Sequence, residues 1–203
     1  MTSPQPRRLP KQKRSRERFE RILETARVLI AERGNDAVSM REIAEGSGVA
    51  ISSVYQYFPD KNALLWTILA VHFDQIEADW QEKVAAAGSL DALNEAARWL
   101  FEQFVEVCES DPTFLRLWIS AQANTVLGEV DAAHNDRIAD SYAARMAELE
   151  PGTDVSMVRR RTYLMASLGS TALRVAYGAG TEKTAVLADF RELMRRWSLP
   201  ASR

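Results

Sequence analysis

Residues 39–65 read SMREIAEGSGVAISSVYQYFPDKNALL, and several of them are suited to reading the edges of DNA bases. Gln56 carries an amide that can pair bidentately with adenine N6/N7, and Ala50 and Ile51 can touch a thymine methyl. Ser52 and Ser53 offer hydroxyls that suit a phosphate, a base edge or plain helix capping. Val49, Val54 and Phe58 are apolar and spaced to pack inward, which leaves Ala50, Ile51, Ser52, Ser53, Tyr55, Gln56 and Tyr57 as the expected outward set.

Such side chains need a rigid, closely turned support. Ser39 followed by Glu42 is a capping box that starts a short helix, with Met40, Ile43 and Ala44 as its buried side. Gly46-Ser47-Gly48 breaks that helix, and Gly48 can take positive φ at little steric cost. A second short helix is expected from about Ile51 to Phe58, stopped by Pro59, with Asp60 capping a long helix from Lys61. Two short helices joined by a tight turn are the geometry that lays one helix in the major groove. Ahead of them, Phe19, Ile22, Leu23, Ala26, Leu29 and Ile30 mark an amphipathic helix over about 15–33.

The rest of the chain reads as further helices. Stripes through Leu64–Trp80, Leu93–Cys108 and Phe114–Ala121 are punctuated by Gly88-Ser89 and Ser110-Asp111-Pro112. Helices are expected over about 127–149, 154–177 and 182–197, separated by Pro151-Gly152 and Gly178-Ala179-Gly180. The count is about nine, with no convincing strand, so the fold class is all-α. The expected domains are a basic arm over 1–14, a helix-turn-helix domain over 15–60 and an effector-binding and dimerisation domain over 61–203.

Composition narrows the function classes. The 203 residues have 46% hydrophobic content and a formal net charge of −2. Basic residues gather at the N-terminus, in Arg7, Arg8, Lys11, Lys13, Arg14, Arg16, Arg18 and Arg21. Such an arm suits phosphate contacts, and equally a solubilising tail. No apolar run reaches the length of a membrane span, and nothing resembles a secretory signal. Cys108 is the single cysteine, which fits a reducing cytoplasm. There is no phosphate-cradling Gly loop, H-E-x-x-H, Cys/His cluster or G-x-S-x-G, so neither an enzyme nor a metal or cofactor is expected.

The residues Ser39-Met40-Arg41-Glu42-Ile43-Ala44, Gly48-Val49, Val54-Tyr55-Gln56-Tyr57-Phe58 and Asp60-Lys61-Asn62-Ala63-Leu64-Leu65 together resemble the DNA-binding domain of the tetracycline-repressor (TetR) family. The specific match covers roughly 15–69. It implies a homodimeric transcriptional repressor that binds an operator in double-stranded DNA and whose C-terminal domain takes a small-molecule inducer. It further implies that Tyr55 and Tyr57 meet phosphate or groove, that Lys61 pairs with phosphate, and that Ser39 caps its helix and touches phosphate. Arg41 stands where some relatives read guanine, with a solvated charge as the plainer alternative.

For the expected effector pocket, the candidates are His72, Trp99, Gln103, Phe104, Trp118, Gln122, Tyr142 and Met165, with Asn124 and His134 as further polar groups on apolar stretches. Aromatics at helical spacing more often form core. The last two helices are the expected dimer interface, through Val158, Met165, Gly169, Ala172 and Ala176 on the first and Leu187, Phe190, Met194 and Trp197 on the second. A second stripe, Leu164, Leu168 and Val175, gives that first helix two apolar sides, which calls for two partners. The rival readings are a regulator without a small ligand, released by a protein partner or constitutive, and a sequence-independent DNA binder.

Overall fold

A computed structural model describes residues 12–120, 125–178 and 182–196. Among the described residues the chain forms nine helices and no strand. They are α1 (Lys13–Arg33), α2 (Met40–Ser47), α3 (Ile51–Tyr57), α4 (Lys61–Ala86), α5 (Leu90–Ser110), α6 (Pro112–Ser120), α7 (Thr125–Leu149), α8 (Val155–Ala176) and α9 (Lys183–Arg196). The expected all-α class holds. Most of the basic arm, Gln122, Asn124 and Trp197 lie outside the described residues.

The chain divides into two compact units, the first of residues up to His72 together with Val107–Val130, the second of Phe73–Glu106 together with residues from Asp131 onward. In the first unit, α1 buries Phe19, Ile22, Ala26 and Ile30, the stripe read from its spacing. Gly46 brings α2 close to α1: a Cβ there would stand 2.9 Å from Thr25 Cγ2. Gly48 takes φ 65°, ends α2 in the left-handed region and turns the chain toward α3.

Asp111 organises the other side of the same unit. Its Oδ1 accepts the N–H groups of Thr113 and Phe114 at the start of α6, at 2.9 and 3.0 Å. Its Oδ2 accepts from Arg27 of α1 and lies 3.0 Å from His72 Nε2 of α4. Burial pushes this carboxyl up, but the Phe114 N–H, His72 and Arg27 outweigh it and hold it below its ordinary value. Pro112 follows at the first helical position, where its missing N–H costs nothing.

In the second unit, Trp80 is fully buried and donates from Nε1 to Ser141 Oγ at 2.7 Å, while Arg145 donates to the Ala87 carbonyl at 2.8 and 2.9 Å. Asp154 caps α8 through the Met157 N–H at 2.9 Å. Phe190 of α9 packs on Phe101 of α5 with ring centroids 4.7 Å apart. Gly169 of α8 faces both rings, so its lack of a side chain admits them.

That packing takes up most of the expected dimer stripe within the chain itself. Val158, Met165, Gly169 and Ala176 are buried inside the chain's own bundle, as are Leu187 and Phe190 of α9. Ala172 and Met194 are half-buried. Small residues let helices of one chain approach closely, and this stripe does so here. The other stripe is exposed: Leu164 52%, Leu168 40% and Val175 47% on α8, with Leu193 47% on α9, and Val155 is exposed at the start of α8.

Candidate nucleic-acid interface and ligand cavity

The two short helices are held by local closures. The Glu42 N–H donates to Ser39 Oγ at 3.2 Å, while the Glu42 carboxylate accepts from the Ser39 N–H at 2.8 Å and its hydroxyl at 2.7 Å. Arg33 adds a third donor at 2.9 Å. The Ser39 hydroxyl, the Ser39 N–H and Arg33 hold the Glu42 carboxyl down at about 2. The cap predicted from Ser-x-x-Glu is therefore formed in full.

α3 rests on α1 through aromatic rings. Phe58 is fully buried and stacks on Phe19 at 5.0 Å, and Tyr57 meets Phe19 edge-on at 5.6 Å. The Tyr57 hydroxyl lies 2.8 Å from Ser15 Oγ. Tyr57, expected on the outward face, is thus 5% exposed and turned inward. Its spacing carried the signal: Val54, Tyr57 and Phe58 stand at i, i+3 and i+4, one face of a helix. Val54 and Phe58 are buried as expected, and Val49 is half-buried.

With Tyr57 withdrawn, α3 presents Ile51 with Tyr55, and Ser52 with Gln56, one turn apart and all exposed, preceded by exposed Ala50. Ser53 is half-buried. From α2, Arg41 is 84% exposed at its side chain and donates from Nε to Glu45 at 3.0 Å. An exposed pair one turn apart is worth only about 0.3–0.5 kcal/mol, so this guanidinium is readily released to another acceptor. Ser39 is exposed at the start of α2. Lys61, at the start of α4, is half-buried and donates from Nζ to the Asn35 carbonyl. Burial pushes its ammonium below the ordinary lysine value, while Asp36 and Glu42 oppose that shift. At the N-terminal end of α1, Lys13, Arg14, Arg16, Arg18 and Arg21 are all exposed.

The second unit holds a cavity of about 70 Å³ among α4, α5, α7, α8 and α9. Its wall is mainly apolar, including Trp80, Leu100, Phe101, Phe104, Ile138, Met165, Leu173 and Phe190, with His134, Asn135, Thr162 and Ser170 as polar groups. A smaller cavity of about 40 Å³ shares Ala97, Thr162, Met165 and Met194 with it and adds Asn94, Arg98 and Tyr142. Of the expected lining residues, Phe104 and Met165 stand on the larger cavity and Tyr142 on the smaller. The Tyr142 hydroxyl donates to Asn94 Oδ1 at 2.8 Å, and burial pushes it up to about 12.

The other expected lining residues have different surroundings. His72 belongs to the first unit, paired with Asp111 and edge-on to Phe114. Trp118, also of the first unit, is buried and stacked on Phe114 at 5.8 Å. Trp99 is half-buried with Lys83 over its ring, and Gln103 donates to Glu106 at 3.5 Å. Thr162, Asn135 and Ser170 were not singled out by sequence, because a lone small polar residue in a helix carries no signal of a cavity. Among the described residues no His, Cys, Asp or Glu group suits a metal, and no helix is long and apolar enough to cross a membrane.

The family of bacterial regulatory proteins described as the tetR family matches residues 22–66, and the tetracyclin repressor-like C-terminal domain matches residues 91–198. The HTH-type transcriptional repressor KstR of Mycolicibacterium smegmatis is 32% identical over 151 residues, which cover 71% of each protein. The HTH-type transcriptional regulator EthR of Mycobacterium tuberculosis is 26% identical over 168 residues, 73% of this chain and 74% of that one. A TetR-family transcriptional regulator from Streptomyces coelicolor superposes with a TM-score of 0.66 at 20% identity, over 88% of this chain and 95% of that one. These relatives are regulators rather than enzymes, and the chain belongs to the TetR family of helix-turn-helix transcriptional regulators.

Proposed function

We propose that the chain is a repressor that binds a palindromic operator as a homodimer and is released by a largely apolar small molecule. The observation that carries the DNA reading is the exposed face of α3. Ile51, Ser52, Tyr55 and Gln56 stand outward on a helix whose other side is locked to α1 by Phe19, Tyr57 and Phe58. Gln56 reads adenine, Ile51 and Ala50 meet a thymine methyl, and Arg41 reads a guanine or its phosphate. Tyr55, Ser52 and Ser53 serve the backbone, which sets register rather than sequence, and Ser39 and Lys61 join them by exchanging their bonds to Glu42 and the Asn35 carbonyl for phosphate. With so few hydrogen-bonding readers, DNA shape carries part of the selectivity.

A single half-site gives little affinity, and a dimer supplies the second. The exposed leucines and valine of α8 and α9 support that assembly, since one self-complementary face meets itself in a two-fold interface. Release would act through α4, one continuous helix from Lys61 beside the recognition element into the unit that holds the cavity. Ligand favouring a wrong half-site separation lowers DNA affinity, with coupling of about 1–3 kcal/mol. The test is selection of a binding site from random duplexes, followed by titration of that duplex with and without effector. A recovered palindrome and reciprocal weakening support the reading. Equal affinity for all duplexes ends it, and equal affinity with and without effector ends its induction half.

A further inference from the structure

Four buried side-chain atoms among the described residues lack a hydrogen-bond partner, and three of them belong to two residues on the wall of the same cavity. They are Nδ1 and Nε2 of His134 and Oγ1 of Thr162. Burying a polar group without a partner is costly, so such groups in a native interior point to something that completes them.

Both side chains are placed for this by their surroundings. His134 is 2% exposed and meets Phe73 and Phe104 edge-on, with centroids at 4.9 and 5.3 Å, so its ring is held in one orientation. The neighbouring carboxylate is Glu77, whose Oε2 lies 3.8 Å from Nδ1, long for a hydrogen bond. It is close enough that His134, together with Arg137, holds the Glu77 carboxyl below its ordinary value, so Nδ1 has a charge partner while Nε2 has no hydrogen-bond partner. Arg137 Nε donates to the two Glu77 oxygens at 2.6 and 2.7 Å. Thr162 differs from two other helical threonines. Thr67 and Thr171 donate back to the carbonyls of Ala63 and Ser167, at 2.7 and 2.9 Å, and so satisfy themselves. The Thr162 hydroxyl makes no such bond. Ser170, also on the wall, already lies 3.1 Å from Asp131.

The chemistry of the wall then limits what can enter. No Lys, Arg, Asp or Glu lines the larger cavity, and Arg98 stands only on the smaller one, so a charged group seated beside His134 would have no counter-ion on the larger cavity's own wall. We propose that the cavity selects an uncharged, mainly apolar molecule bearing one hydroxyl group, which hydrogen-bonds to His134, to Thr162 or to both. A hydroxyl both donates and accepts, so it suits either tautomer of the imidazole and either direction of the threonine bond. The apolar body lies among Phe101, Phe104, Met165 and Phe190. This rests on reading the cavity as the effector site, and it adds the polar group by which an effector is distinguished.

The test uses the full chain and three probes of one shape: 4-propylphenol, propylbenzene and 4-propylbenzoate, titrated by calorimetry. The expected result is 4-propylphenol binding about tenfold more tightly than propylbenzene, as one buried hydrogen bond provides, with the benzoate weakest. Thr162→Val and His134→Phe should each shrink that preference toward parity. Thr162→Val is nearly isosteric, so it keeps the test open should His134→Phe fail to fold. Free of ligand, Thr162→Val should melt at or above the wild type, because it removes an unpartnered group. A wild type that binds propylbenzene as tightly as 4-propylphenol would overturn the selectivity and leave the cavity reading intact. Tightest binding of the benzoate, or a Thr162→Val chain melting well below wild type, would overturn it likewise. Binding of none of the probes would remove the cavity reading and the selectivity together.

Discussion

The two units differ in where polar groups lack partners. In the first, Ser39 pairs with Glu42, Asp111 with the start of α6, Lys61 with the Asn35 carbonyl and Tyr57 with Ser15, and Asn35 Oδ1 is the one buried side-chain atom without a hydrogen-bond partner among the described residues of that unit. What remains for a partner is the outer face of a fixed helix, Ser52 and Gln56 beside the larger Ile51 and Tyr55. In the second unit, hydrogen-bonding capacity is left over inside, on a cavity wall, at His134 and Thr162. A surface that must dock against a rigid duplex gains from being complete before binding, because ordering costs are then already met. A cavity that must detect a molecule gains from being incomplete until that molecule arrives.

This contrast can be broken by experiment, most severely at the inner clamp of the first unit. Phe58→Ala removes a wholly buried ring stacked on Phe19, and the expected loss is about 3–5 kcal/mol of stability in urea denaturation. Retention of wild-type stability would mean that α3 is not held by its aromatic side. Next in size is the exposed stripe of α8. Leu168→Glu should raise the dimer dissociation constant by at least about thirtyfold in sedimentation, the effect of losing a central anchor worth 2 kcal/mol. The half-buried Ala172→Ser should leave it nearly unchanged; the reverse order would restore the small-residue stripe as the interface.

Smaller effects sharpen the DNA-facing side. Arg41→Ala should relax preference at one base pair by about 1–3 kcal/mol in a selection experiment, whereas Tyr55→Ala should weaken every sequence alike. Untouched base preferences in Arg41→Ala would remove Arg41 from the residues that read sequence. The smallest effect concerns the cap. Glu42 is held at about 2 against an ordinary value of 4.5, so its contribution is full above 4.5 and is lost as pH falls toward 2. Glu42→Gln should therefore narrow the stability gap to wild type across that window, and a Ser39→Ala chain should titrate Glu42 nearer its ordinary value by carboxyl NMR. A gap independent of pH would show that the charge is not what the cap uses.

Much of the DNA-facing element was legible because its determinants are near neighbours. Ser39 and Glu42 are three residues apart and their hydrogen bonds close within one turn, whatever the rest of the chain does. Gly48 takes its left-handed turn for a reason internal to one residue. Tyr57 was misplaced because an aromatic with a hydroxyl suits either side of a helix, and only Phe19 and Ser15, some forty positions earlier, draw it inward.

The amino-acid sequence by itself determined the all-α class, the positions of the caps and breaks, and the family, since these rest on hydrogen bonds and steric limits within a few residues. Tertiary structure decided which side of each helix is inside. On α8 two apolar stripes compete, and the one containing Gly169 is buried because Phe101 and Phe190 fit against a residue without a side chain. It also decided that His134 and Thr162, in helices α7 and α8, share a cavity while His72 does not. Periodicity specifies that a face is apolar; only the packing of distant helices specifies what that face touches and which polar groups it leaves without a partner.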